Sequence, residues 1–166
     1  RKDWSDQIVQ LLDDWGRDEG NLESEFVAAV ISTFFRNERV QGIVAQALES
    51  SVTNPVKVQT LLKSVGRIHS LPESWLPPIR KLLSSAKPSL QADIIAAIAT
   101  SRTTQLNDQL LKIGSDGARA ESIRVMAWNS LAENGTPLPD EGFGMLLAEL
   151  RGDQMPLDRL AGARAI

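Results

Sequence analysis

Apolar positions in this chain fall at three- and four-residue steps and recur at a fixed distance. The clearest stretch is 119–133, where Ile123, Met126, Ala127 and Leu131 form one stripe on a helix. Thirty-three residues before Ala127 stands Ile94, thirty-three before that Leu61, and thirty-three after it Leu160. The next column reads Leu62, Ile95, Trp128, Ala161; a third reads Val65, Ile98, Leu131 and fails at Arg164. A spacing of thirty-one carries the three columns back to Val30, Ile31 and Phe34. A period of this length marks stacked supersecondary units.

The same periodicity predicts the individual elements. Ile8, Leu11, Leu12 and Trp15 predict a helix closed by Gly16, and Val27, Val30, Ile31 and Phe34 predict one over 24–36. Ile43, Val44 and Leu48 follow over 40–48. Asn54-Pro55 is the sharpest start, since Asn caps free amides and Pro at the first helical position loses no hydrogen bond; that helix reaches about Ile68. Ser74 is the expected cap of a helix with Pro77 and Pro78 in its first turn and Leu76, Ile79, Leu82 and Leu83 buried. Pro88 restarts the chain into the Ile94 helix. Thr103 or Thr104 is expected to cap a helix bearing Leu106, Leu110, Leu111 and Ile113 and ended by Gly114. The breaker run 134–140 separates the 119–133 helix from helices expected at 143–150 and 156–166. Sustained two-residue alternation is absent, so no strand is expected.

About ten short helices, each with a stripe too wide to hide alone, bury those stripes by stacking. The expected fold is therefore all-α, an α-α superhelix (solenoid) of about five antiparallel helix pairs forming one domain over 1–166. Val30, Leu61, Ile94, Ala127 and Leu160 are its leading structural column. The 42% apolar composition suffices for such a core. A net charge of −3 argues against a dedicated nucleic-acid binder. No apolar run approaches the length of a membrane span. The absence of Cys excludes disulfides and thiolate chemistry and leaves the compartment unassigned. The start at Arg-Lys-Asp and the stop within an apolar pattern read as the cut ends of a piece of a larger polypeptide.

Ile123-Arg124-x-x-Ala127-x-x-x-Leu131, preceded by Asp116 in a turn, resembles the second helix of a HEAT repeat in the armadillo-like superfamily. The resemblance implies an α-solenoid in which a turn Asp and a second-helix Arg support the stack by hydrogen bonds; Asp116 and Arg124 are the candidates, with Glu121 a competitor. The other pairs depart from the pattern, with Val58, Gln91 and Leu157 at the Arg position. The chain is also similar to the helical stacks of large multidomain bacterial proteins that carry propeller or c-type haem modules, although it holds no Cys-x-x-Cys-His of its own.

Candidate chemistry is sparse. His69 is the sole histidine and lacks companions for a metal site or a catalytic triad, so a cap or surface role fits it better. Asp13-Asp14 and Asp18-Glu19 belong to an acidic start that reads as a solvated face. Lys57, Lys63, Arg67, Arg80, Lys81 and Lys87 form a basic segment opposed by Glu73 alone. Trp15 and Trp128 lie in apolar columns; Trp4 and Trp75 are either binding anchors or packed under loops, the second reading being preferred. Small residues on two column helices, among them Ala28, Ala29, Ala92, Ala96 and Ala97, point to close helix approach.

The expected function is non-enzymatic: a protein-interaction or scaffold segment of a larger multidomain protein, with no metal or other cofactor. The expected partner surface lies on the second helices, at Lys57, Thr60, Lys63, Ser64 and Arg67 in one and Glu121 and Asn129 in another, because these fall outside the apolar stripes. The partner is a protein or a neighbouring domain, acidic where it meets the lysines. One alternative is a nucleic-acid-binding HEAT-like domain of glycosylase type using the Lys57–Lys87 segment. Another is a structural spacer between domains, such as those of a haem-containing bacterial protein.

Overall fold

A computed structural model describes residues 2–17, 22–50 and 54–151. Among them are nine α-helices: α1 (Lys2–Gly16), α2 (Ser24–Phe34), α3 (Glu38–Ser50), α4 (Pro55–Gly66), α5 (Leu76–Ser85), α6 (Pro88–Ser101), α7 (Asn107–Ser115), α8 (Glu121–Glu133) and α9 (Asp140–Arg151). A short 3-10 turn, Glu73–Trp75, leads into α5, and the described residues contain no strand. Leu160 and the helix expected at 156–166 lie outside the described residues, as do the 18–21 loop and the side chain of Trp4.

The helices form two layers. In one, α2 packs on α4, α4 on α6 and α6 on α8. In the other, α1 packs on α3, α3 on α5, and α7 on α9. The layers meet most closely where α7 lies against α8.

The three columns meet between the layers. Leu61, Ile94 and Ala127 are buried, as are Leu62, Ile95 and Trp128, and Val65, Ile98 and Leu131. A fourth column is buried too, and it holds only small side chains: Ser64, Ala97 and Ser130, again thirty-three apart. Small residues there let neighbouring helices approach closely, while the larger apolar side chains each contribute roughly 1.5–3 kcal/mol of burial.

The extension of the columns into α2 is corrected by the structure. Val27, Ala28 and Ile31 are its buried face, whereas Val30 and Phe34 are half-buried against the core. Glu25 in the first turn of α2 meets Lys63 and Arg67 at the end of α4, where a thirty-one-residue register would have set it opposite Val56. The strict repeat thus holds across α4, α6 and α8, and α2 joins the layer out of that register.

Polar ties follow the repeat along the loop edge. The Gln105 side chain grips the backbone of Leu71 in both directions, accepting from its N–H at 2.8 Å and donating to its carbonyl at 3.1 Å. Asn134 donates to the Thr103 carbonyl one repeat later, at 3.0 Å. Trp75, fully buried, donates its indole N–H to the Gln41 carbonyl at 3.1 Å, so it is packed and not a surface anchor.

Several expected helix ends are met and others are not. The Asn54 side chain accepts from the Lys57 amide at 3.1 Å with Pro55 opening α4. Ser74 sits inside the 3-10 turn and does not cap α5, although Pro77 and Pro78 do occupy its first turn. Neither Thr103 nor Thr104 caps α7 through its side chain; the residue before that helix is Leu106. After α8, Gly135 at φ +70° lets Thr136 N–H reach the Leu131 carbonyl and Gly135 N–H reach that of Ala132, a Schellman closure. Thirty-three residues earlier, Arg102 takes the same left-handed conformation, φ 52°, after α6.

Gly114 does not end α7, which continues to Ser115; it makes room for the Trp128 indole. A Cβ on Gly114 would stand 2.5 Å from that ring, and one on Gly142 of α9 would stand 2.8 Å from it. Trp128 is therefore held between two glycines.

Two predictions follow from this packing. Ile94→Ala is expected to lower stability by about 2–5 kcal/mol, as for other large core truncations, while Lys63→Ala, on a half-exposed side chain, changes it by less than about 1 kcal/mol. Equal urea midpoints for the two variants would remove the column from the core. Gly114→Ala is expected to cost about 1–3 kcal/mol through overpacking against Trp128. The double variant Gly114→Ala/Trp128→Leu should lose clearly less than the sum of its single changes; strict additivity in urea melts would contradict the contact.

Candidate functional site

The exposed side of the α2–α4–α6–α8 layer carries an open groove of about 550 Å³ between α4 and α6. Its floor is built of small or apolar groups, Leu62, Gly66, Ala96 and Ala97, and Thr100 stands at its edge. Gly66 lies close to α6: a Cβ there would be 3.6 Å from Thr100 Cβ. The rim is charged, with Lys63 and Arg67 from α4, Glu25 from α2 and Asp93 from α6. A second hollow continues it at Thr100, lined by Ala99, Arg102, Ala132 and Glu133. These lining residues repeat at thirty-three as well, from Gly66-Arg67 to Ala99-Thr100 to Ala132-Glu133.

Two cations share one carboxylate at the rim. Arg67 donates to Glu25 Oε1, and Lys63 Nζ lies 3.4 Å from Oε2. The Arg67 hydrogen bond and charge, followed by the Lys63 hydrogen bond, hold the Glu25 carboxyl below its ordinary value.

The seven expected partner residues are not brought together. Lys63, Arg67 and Glu121 are exposed, but Glu121 stands on α8, beyond α6. Asn129 is half-buried, and its Oδ1 has no hydrogen-bond partner among the described residues. Lys57, Thr60 and Ser64 are buried, which corrects the expectation that they face a ligand. Lys57 donates to the Gly16 carbonyl at 2.8 Å, at the end of α1, with its ammonium 5.4 Å from the Trp15 ring centre. A cation placed there serves the α1 terminus, where carbonyls lack helical donors. Thr60 and Ser64 return their hydroxyls to the Val56 and Thr60 carbonyls, as hydroxyls on a helix often do.

The Asp116–Arg124 bond does not form. Asp116 pairs with Arg119 at 3.0 Å, three residues on. Arg124 donates instead to the Gly114 carbonyl at 2.8 Å and to Glu141. Gln91, at the same column position, donates to the Leu83 carbonyl at 3.0 Å. Both side chains thus tie a second helix to a carbonyl late in the first helix of its own pair, a role that spacing from Asp116 could not disclose.

The remaining candidates fall into structural roles. His69 Nδ1–H donates to the Ser101 carbonyl at the end of α6, 2.7 Å away. Asp13 pairs with Arg17, and Asp14 accepts from Gln10. Arg80 and Lys81 lie on α5, in the other layer from Lys63 and Arg67, so the basic segment does not form one face. Among the described residues the groove lining includes no tryptophan, and Trp15 and Trp128 are buried in the core. Among the described residues, no three His, Asp or Glu side chains cluster closely enough to hold a metal ion, and no helix is long and apolar enough to cross a membrane. Sequence reasoning missed Glu25, Asp93 and Arg102 as groove residues; the period could have paired Ala96 with Lys63 and Thr100 with Arg67, but it gave no reason to look at Glu25.

The rim generates a pH prediction. Because the folded Glu25 carboxyl lies below its unfolded value, its contribution is fully present above the ordinary carboxylate range and is lost as pH falls through the folded value. Wild type is expected to melt above Glu25→Gln near pH 7, with the gap closing once pH falls below about 4.3. Thermal melts from pH 7 to pH 3 check this, and a gap that widens in acid would contradict it.

Comparison with protein-family models, with curated proteins and with solved structures returns no match for this chain.

Proposed function

We propose that this chain is a non-enzymatic interaction scaffold, a HEAT-like helical stack that presents the exposed side of α4, α6 and α8 to a protein partner or a neighbouring domain. The observation that carries this reading is the open groove with its apolar floor and its charged rim of Lys63 and Arg67. A stack of parallel helices supplies such a surface without moving parts, because each repeat fixes the next. The rim charges are half-exposed, so they contribute selectivity and encounter rate more than raw affinity.

The basic segment, divided between two layers and with Lys57 buried, gives less support to nucleic-acid binding. A spacer without a ligand would have no use for the groove, and the two readings separate in one experiment.

Capture of partners from lysate with wild-type protein is compared with capture by a Lys63→Glu/Arg67→Glu variant, at low and at high salt. The scaffold reading expects a partner whose recovery falls with the double variant and with salt, since exposed charges are screened within about 8–10 Å. Lys57 is left intact because reversing a buried charge would unfold the chain. Recovery that is identical for both forms would overturn the role of this rim, and the absence of any specific partner would favour the spacer.

A further inference from the structure

The groove and its continuation share Thr100 and pass from the end of α4 to the end of α8. Along this path stand three cations. Lys63 and Arg67 share the single carboxylate of Glu25, so their pair of charges is only half neutralised. Arg102, at the mouth of the second hollow, makes no ion pair among the described residues.

Arg102 is also the described non-glycine residue at positive φ, 52°. One repeat on, the equivalent position is Gly135 at φ +70°, the residue that this conformation favours. For a side chain other than glycine the left-handed conformation is strained, so the chain keeps an arginine where the backbone prefers glycine. A cation at the end of α6 also suits the helix dipole, and the experiment below separates that benefit from ligand binding.

From these observations we propose that the groove seats an extended protein segment bearing two carboxylates about three residues apart. This rests on the scaffold reading and names the partner's chemistry. One carboxylate replaces Glu25 between Lys63 and Arg67; the second pairs with Arg102. The spacing follows from geometry: neighbouring helices lie about 8–10 Å apart, and an extended chain advances about 3.3 Å per residue. The residues between the two acids lie over a floor of Gly66, Ala96 and Ala97, and the probe below carries small residues there. Asp93 and Glu133 flank the path and disfavour further acids in the segment. Glu25 is then a resident competitor, occupying the fork until a partner's acid displaces it.

The test titrates the full 166-residue chain with synthetic peptides and follows backbone amide shifts by NMR. The probe is acetyl-Gly-Glu-Ala-Ser-Glu-Gly-amide; its controls replace both Glu by Gln, replace both by Lys, or set the two Glu side by side. The probe is expected to shift amides of α4 and α6 along the groove and to bind more tightly than every control. Each lost charge pair should weaken binding about two- to fivefold, as for exposed ion pairs. Glu25→Gln should tighten the probe by a similar factor. Arg102→Gly is the decisive variant: binding should weaken about two- to fivefold while Tm stays the same or rises, since glycine suits this backbone. Arg102→Lys should retain most of the affinity.

Equal binding of the Gln control, or unchanged affinity in Arg102→Gly, overturns the proposal. Tighter binding of the Lys control overturns it in favour of a basic segment held by Asp93 and Glu133. Failure here, with partner capture still dependent on Lys63 and Arg67, leaves the scaffold reading standing and removes only the two-acid ligand.

Discussion

The structure depends on one constraint: α4, α6 and α8 must lie side by side in register so that their apolar columns close against the other layer. Leu61, Ile94 and Ala127 occupy equivalent buried places, and the small column Ser64, Ala97, Ser130 lets these helices come close. None of the helices is long enough to be stable alone in water. Their stability is held in common, and a change in one column position is felt by both neighbours. The polar ties reinforce the same register. Gln105 on Leu71 and Asn134 on Thr103 bind loop to loop, while Gln91 and Arg124 bind each second helix to its own first.

This constraint was legible in the sequence because burial is periodic and charge is not. Columns of leucine and isoleucine at a spacing of thirty-three leave few ways to pack, so helix positions and the core were recoverable from them. The same logic failed where a side chain's role is set by a distant partner. Lys57 reads as a surface charge by type, yet it is buried because the Gly16 carbonyl, 41 residues away in sequence, and the neighbouring Trp15 ring await it. Gly114 reads as a helix stop, yet its missing Cβ is needed by Trp128 in the facing helix. The thirty-one-residue spacing into α2 was itself the sign of a broken register, visible in the sequence but without a direction.

The groove follows from the stack and was only half legible. Once three parallel helices share a register, positions one turn apart on their outer side recur as a strip, and here that strip carries small residues. Its floor could be drawn from the period, and Lys63 and Arg67 were recognised as outward-facing. Glu25 and Arg102 came from elsewhere: the first from the irregular α2, the second from a loop position at which the next repeat has Gly135. The features that give this surface its chemical character are thus the departures from the repeat.

The register of α4 against α6 is the claim on which the rest stands, and the chain's lack of cysteine allows it to be measured cleanly. A Cβ on Gly66 would lie 3.6 Å from that of Thr100, close to the mean of about 3.8 Å found in disulfides. The double variant Gly66→Cys/Thr100→Cys is expected to form an intramolecular disulfide under mild oxidation, detected by mass spectrometry of the monomer. The pair Gln59→Cys/Thr100→Cys, about two turns out of register, is expected to stay reduced. Ready closure of the second pair, or failure of the first to close in a folded protein, would contradict the thirty-three-residue stack.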